Sequence, residues 1–508
     1  MLKVTCACLF VISLVFVVTA SSFCVQWTHD YTIYPFSRHT RSEEIRPKTN
    51  SLFKERNERS LDPFASGKSQ DIRITCSNVS SDTPLDYHYE ERPYKQDLFI
   101  VNSTIQKLSA HSFLSNFTHL RTLYLVSLGI EEVSPGAFNG LVVLDELDLA
   151  ANKLVKISNG VFNNLETLLS LDVSRNLISE IEENSFLGLV SLTDLYLNNN
   201  NITFLHKNLF KDFRKLESLW ISHNPLKEFP SDINLPSLKT FLDIGTNLKT
   251  FDLDLSGSFM DMIKITQGQF ETVDFAKFPN LTRTLLDWNK ISSVKNWNKL
   301  NCYFVFMRGN KITEVEIPDN VVYLYLMENS INSVKSTFSG QVKKLQFLNL
   351  SFNKINNISS ESFWGLTELR VLVLEHNNIT VLHENSFVNC TNLSQLNLAH
   401  NQIEVIEPNT FNGAVRLGQI NLWNNKLKVL KPPSLMDLKS GNIVIGNNKI
   451  SWDDLKSVLN SNEKLQIEID PLIWKCEKLN SNDSVLTNNI RYLKKHLVNK
   501  ILCTHDDN

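Results

Sequence analysis

The sequence predicts an α/β solenoid, a horseshoe of stacked coils with a parallel concave β-sheet and a cap at each end. Three observations predict it. The segment LQFLNLSFNKI, Leu345 to Ile355, has a near copy 24 residues later in LRVLVLEHNNI. The underlying pattern L-x-x-L-x-L-x-x-N-x-L places its asparagine at Asn152, Asn176, Asn200, Asn224, Asn289, Asn310, Asn329, Asn353, Asn377, Asn401, Asn425 and Asn448. Most units also set an aromatic ten residues past that position, at Phe138, Phe162, Phe186, Phe210, Phe363, Phe387 and Phe411. With degenerate units around Ser103, Leu128, Asn247 and Gly268 the count reaches about sixteen, and a register held that long marks a repeat architecture.

Each part of the unit has a physical task. The L-x-L core reads as a short strand with alternating faces, pairing in parallel with the next unit at about 4.8 Å. The chain then turns away from the sheet and leaves backbone groups that water cannot reach. Asparagine carries a donor and an acceptor on a short side chain, so a stacked column of them satisfies those groups from coil to coil. The phenylalanine column is expected to pack as a spine on the opposite, convex side. Both columns are structural on this reading.

The ends follow from composition. Residues 1–22 have the layout of a cleaved secretory signal, with Lys3, the apolar run Leu9 to Val18 and small residues from Thr19 to Ser22. About ten apolar residues are too few to span a bilayer. Residues 23–70 are polar and patternless and are expected to be disordered. Residues 71–97 form an N-terminal cap around the strand DIRITCSNVS, the repeats occupy 98–450, and 451–508 form a C-terminal helical cap. In that cap WDDLKSVLNS and SVLTNNIRYLKKHLVNKIL have helical spacing, with Leu486, Ile490, Leu493, Leu497 and Ile501 on one face.

Removal of the signal leaves Cys24, Cys76, Cys302, Cys390, Cys476 and Cys503 in an oxidising compartment. Cys476 with Cys503 clips the C-terminal cap. Cys24 pairs with Cys76 or with another chain. Cys302 and Cys390 lie four units apart, far beyond disulfide reach, and are expected to be buried free thiols. Glycosylation acceptors occur at Asn78, Asn102, Asn116, Asn201, Asn280, Asn357, Asn378, Asn389, Asn392 and Asn482. A further acceptor, Asn349, stands inside a strand facing the concave side, where a sugar would cover neighbouring residues. A formal net charge of -3 gives no global field to favour nucleic acid or an anionic membrane.

No catalytic constellation, cofactor motif or metal-ligand spacing is present in the sequence, so the reading is a binding protein and not an enzyme, with no cofactor and no metal. His223, His376 and His400 share the column just before the asparagine and read as surface histidines at exposed turns. The concave face is where partner-binding residues are expected, because parallel strands give a broad preformed surface. Its early units carry Asp145, Glu146, Asp148, Asp172, Asp194 and Glu217, read as a solvated acidic surface. Its middle units carry Trp220, Trp288, Phe304, Phe306, Tyr323, Tyr325, Phe347 and Phe352. Aromatics clustered in successive units mark an interaction site more often than random exposure does.

The asparagine and phenylalanine units resemble the extracellular leucine-rich repeat superfamily, in its typical 24-residue class. VNSTIQKLSAHSF leading into LRTLYLVSLGIEEVSPGAF, with shortened middle repeats, is most similar to the mosquito leucine-rich immune proteins. That resemblance implies a secreted, extracellular glycoprotein of innate immunity that recognises a protein partner, a complement-like effector or receptor, or a microbial ligand. The chain departs from those proteins in lacking their long coiled coil after the repeats. The alternative function is a secreted adhesion or guidance ligand for a cell-surface receptor or matrix.

Overall fold

The computed structural model describes residues 23–28, 72–80, 96–110, 114, 117–231, 233–250, 255, 260–278, 280–336, 343–430, 441–461, 465–469 and 490–492. The signal segment, most of the polar segment, Cys476, Cys503, Asn116 and Asn482 lie outside the described residues. The chain divides into two compact units, Met1–Leu177 with Ser185–Leu189, and Ile178–Asn184 with Val190–Asn508. Among the described residues no helix is long and apolar enough to cross a membrane.

In the first unit, strands Ile72–Ser77, Gln96–Val101, Leu120–Tyr124, Glu146–Asp148 and Ser170–Asp172 pair in parallel in chain order. The register sets Leu98, Leu123, Leu147 and Leu171 in one buried row. Because strand side chains alternate, their neighbours face the other side of the sheet. Phe138, Phe162 and Phe186 stack behind this core with ring centres 6.1 and 5.9 Å apart. Phe23–Thr28, expected within a disordered segment, is instead a strand antiparallel to Ile72–Ser77, with Cys24 opposite Cys76. FCVQWT is rich in β-formers, and it covers an edge that would otherwise offer unpaired backbone groups. The strand expected in the N-terminal cap, Ile72–Ser77, pairs in parallel with Gln96–Val101 and so joins the sheet of the repeats.

The second unit continues the same construction from Asp194–Tyr196 to Gly441–Val444, every neighbouring pair parallel. Its middle coils are short: the partners Thr240, Met262, Arg283, Phe304 and Tyr323 advance by 22, 21, 21 and 19 residues. Phe363, Phe387 and Phe411 form a second spine, stacked 5.9 and 5.8 Å apart. Where the spine phenylalanine is missing, Phe275 and Trp297 fill the back of the coil, 5.3 Å apart. Cys302 and Cys390 are buried free thiols, as the sequence suggested.

The asparagine column does what the spacing demands. Asn353 Oδ1 accepts from the Ile331 N–H at 2.9 Å, and its Nδ2 donates to the Leu326, Leu350 and Ser351 carbonyls at 3.0, 3.0 and 3.1 Å. The neighbouring Asn377 and Asn401 repeat the arrangement coil by coil. One coil departs. Strand pairing of Phe241 with Leu219 puts Thr246, not Asn247, level with Asn224, and Asn247 is exposed. Asp243 there occupies an inward leucine position and is 1% exposed. Its Oδ2 accepts from Thr246 Oγ1 at 2.7 Å, while its Oδ1 is buried with no hydrogen-bond partner.

Burial pushes the Asp243 carboxyl from 3.8 up to about 7, against the lowering effect of the Thr246 hydroxyl. Between those values the folded chain holds a proton that the unfolded chain has lost, so stability is fully present below about pH 4 and falls as pH rises through about 7. The slope is about 1.4 kcal/mol per pH unit, on the order of 2 kcal/mol between roughly pH 5 and 6.5. Asp243→Asn keeps an acceptor for Thr246 and removes the ionisation. Its unfolding midpoint, measured across that range, should fall less steeply than the wild type's; parallel curves would mean that Asp243 does not titrate as described.

The C-terminal end differs from a purely helical cap. Helix Trp452–Ser461 forms as the spacing predicts, with Leu455 and Val458 buried. The parallel sheet then resumes with Leu465–Ile469 and with Ile490–Tyr492, the latter inside the segment expected to be a second helix. The unpaired edge of Leu465–Ile469 captures a strand there, and isoleucine and tyrosine suit it.

Candidate functional site

On the face of the second unit opposite the leucine core, three successive strands bring their rings together. Cys302–Phe306, Tyr323–Tyr325 and Phe347–Asn349 send Val305, Leu324 and Leu348 into the core. Strand alternation therefore places Phe304, Phe306, Tyr323, Tyr325 and Phe347 on the other side, half-buried by one another. Phe306 stacks on Tyr325 with centres 4.6 Å apart and planes 8° from parallel, and Phe304 stacks on Tyr323 at 4.9 Å. Phe347 closes on Tyr325 at 4.9 Å. These five expected residues thus form one continuous surface. Tyr303 joins it, 5.5 Å from Tyr323 and 47% exposed. It was missed although it holds the first x of its repeat, a position that a full reading of L-x-x-L would have included.

The other three expected aromatics stand elsewhere. Trp220 pairs with Tyr196 at 5.4 Å, several strands away from the cluster. Trp288 and Phe352 are not on the strands: both occupy the left-handed residue before the ladder asparagine, at φ 58° and 56°. Trp288 lies over Gly309 and under the Arg308 guanidinium, 5.0 Å from its ring centre. A Cβ on Gly309 would meet the indole at 2.3 Å, and the φ of 68° there favours glycine as well. Phe352 stacks instead on His376, which in turn stacks on His400, each pair 4.2 Å apart. His376 and His400, read from sequence as surface histidines, are therefore in contact, and with Glu375 they bring three ligand atoms within 4.8 Å of one another.

The acidic residues expected on the early coils fall in both units. In the first, Glu146, Asp148 and Asp172 share the sheet face with Tyr124. Burial, reinforced by the Asp172 and Glu146 charges, pushes Asp148 up to about 7 despite a hydrogen bond from the Ala150 N–H. Glu146 and the Tyr124 phenol are raised too, burial again the largest cause. Asp145 is tied to Arg121 at 3.1 Å. In the second unit, Glu217 pairs with Lys239 at 2.5 Å, and Asp194 accepts from the Thr193 hydroxyl at 2.8 Å. Asp145 and Glu217 are thus offset by neighbouring cations, whereas the Asp172 charge raises the proton affinity of Glu146 and Asp148.

Comparison with known proteins follows the geometry. The leucine rich repeat family model matches residues 96–154, 143–202, 166–226, 319–379 and 367–427. The fold is similar to that in the Toll–Spatzle complex, a molecular hub in Drosophila development and innate immunity, at 18% identity and a TM-score of 0.54, over 74% of this chain and 50% of that one. It is also similar to the leucine-rich repeat domain of APL1, at 19% identity and a TM-score of 0.50, over 77% of this chain and 92% of that one. No curated protein matches the chain in sequence. Identities this low speak for the fold alone. Asparagine ladder, phenylalanine spine, parallel sheet and family match agree: the chain carries leucine-rich repeats, matched by the family model over 96–226 and 319–427.

Proposed function

We propose that the chain is a secreted recognition protein of innate immunity that binds a protein partner through the aromatic face of its second unit. The observation that carries this reading is the continuous surface of Tyr303, Phe304, Phe306, Tyr323, Tyr325 and Phe347 across three adjacent strands. Aromatic rings stacked on a rigid sheet offer large contact area at little entropic cost, and such residues dominate binding hot spots. A sheet of this kind has no need of them for its own core, since Val305, Leu324 and Leu348 already fill it.

The secretory reading has support of its own. The acceptors Asn78, Asn102, Asn201, Asn280, Asn357 and Asn378 are exposed, as sugar attachment requires. The register that sets Cys24 opposite Cys76 favours a bridge within the chain over one between chains. Asn349, next to Tyr325 in register, spends its Oδ1 on the Ser351 N–H and hydroxyl, and this reading requires it to remain free of sugar.

The test is a photo-crosslinking residue placed at Tyr325 in the secreted chain, with a second chain carrying it at the exposed Glu404 as control. One protein species captured from Tyr325 and not from Glu404 would support the reading. Identical captures from both positions, or none from Tyr325, would count against it.

A further inference from the structure

We propose that Glu375, His376 and His400 form a binding site for a borderline divalent transition-metal cation, with Zn²⁺ as the representative. The three come from adjacent coils and lie apart from the aromatic face, so the inference stands independently of the protein-binding role. His376 and His400 each hold the residue before a ladder asparagine, Asn377 and Asn401, in the left-handed region at φ 53°. Their backbones are fixed: the His376 N–H donates to the Ala399 carbonyl at 3.0 Å and the His400 N–H to the Trp423 carbonyl at 2.8 Å. The solenoid thus aims two imidazoles the same way from a rigid frame.

The side chains are arranged as ligands. The imidazoles stack with centres 4.2 Å apart and planes 8° from parallel, and Phe352 backs the first of them at the same spacing. His376 Nε2 lies 3.7 Å from Glu375 Oε1. The ligand atoms of all three residues fall within 4.8 Å of one another. Two outer partners orient the set. The Asn424 amide lies against His400 Nδ1 at 2.8 Å; turned so that its oxygen accepts the Nδ1 proton, it leaves Nε2 of that ring to ligate. Asn397 Nδ2 donates to Glu375 Oε2 at 2.9 Å, which leaves Oε1 to do the same. Metal-binding histidines and carboxylates commonly carry such second partners, because these fix tautomer and orientation.

Chemistry narrows the ion. Two imidazoles and one carboxylate suit zinc, copper or nickel, whereas calcium and magnesium require oxygen ligands. At Zn–N distances of about 2.0–2.1 Å and tetrahedral angles, two ligating nitrogens sit about 3.4 Å apart, so ligand atoms within 4.8 Å of one another must close by up to about 1.4 Å, and the stacked rings must tilt so that both lone pairs converge. Half-exposed side chains make that adjustment by small torsional changes. Three protein ligands leave a fourth position for water or for a donor from a bound protein.

The experiment is calorimetric titration of the intact, chelator-treated chain with ZnCl₂. The expected result is one site per chain with a Kd in the micromolar range, roughly 1–10 µM, weakened at least tenfold by His376→Gln or His400→Gln. His383→Gln, whose ring pairs with Glu407 at 3.3 Å outside the cluster, should leave binding unchanged. Should either glutamine variant fail to fold, zinc protection of His376 and His400 from diethyl pyrocarbonate in the wild-type chain gives the same answer. Saturable binding lost in the His376/His400 variants, or protection confined to those rings, supports the site. No saturable binding below about 100 µM, or binding that survives both substitutions, overturns it.

Discussion

Replacing Asn353 by alanine is expected to lower the stability of the second unit by on the order of 4 kcal/mol while leaving partner affinity per folded molecule unchanged. The side chain makes four buried hydrogen bonds, and two reach the preceding coil, from the Ile331 N–H and to the Leu326 carbonyl. Alanine cannot replace either bond, and Asn353 is only 7% exposed, so water has little access to the groups left behind. Each buried group deprived of its partner costs about 1–3 kcal/mol. Asn353→Asp separates hydrogen bonding from packing: it keeps the shape and the acceptor for Ile331 but sets an acceptor oxygen, in place of the amide donor, against the Leu326, Leu350 and Ser351 carbonyls. It should destabilise at least as much as alanine near neutral pH. Denaturant unfolding of the two variants is the measurement, with amide exchange at Ile331 as the local probe. A wild-type midpoint for both would remove the ladder from the account of stability.

The ladder and the spine were legible because both are dictated by backbone groups that every coil presents identically. A side chain that must meet the same N–H and the same carbonyl in each turn can hardly vary, and Phe138, Phe162, Phe363, Phe387 and Phe411 are buried for a similar reason. The misreadings arise where another chemistry does the same task. Thr246 with Asp243 replaces an asparagine, so matching by residue identity slips to Asn247, while strand register does not. Ile490–Tyr492 shows helical spacing, yet an open sheet edge outweighs local periodicity. Trp288 and Phe352 looked like surface-strand residues because the position before the asparagine was taken as part of the strand. Its positive φ, shared by Arg175, His223, His376 and His400, turns it out of the sheet. The 24-residue spacing of His376 and His400 made their proximity readable, but the parallel orientation of their rings depends on Phe352 and Asn424, which no spacing rule announces.

Changing both Phe306 and Tyr325 to alanine should weaken binding of the partner captured at Tyr325 by at least about 3 kcal/mol, more than a hundredfold, if the cluster contains the binding hot spots. The two rings stack at 4.6 Å near the centre of the aromatic face, with Tyr323, Phe304 and Phe347 around them to exclude water. Their removal leaves Val305 and Leu324 undisturbed in the core, both 0% exposed, so the melting temperature should reflect a change within about 1 kcal/mol. Phe352→Ala and Trp288→Ala are the informative controls. Both remove an exposed aromatic from the same unit, but from the turn column and not from the strands, and each should alter affinity by less than about threefold, in keeping with the small effect of most contacts outside hot spots. A binding isotherm and a melting curve on each variant decide the matter. If the Phe306/Tyr325 variant melts early and its folded fraction binds normally, the stacked rings serve the short middle coils as packing. The partner must then dock on another part of the surface, with the Trp220 and Tyr196 pair the next aromatic candidate in the unit.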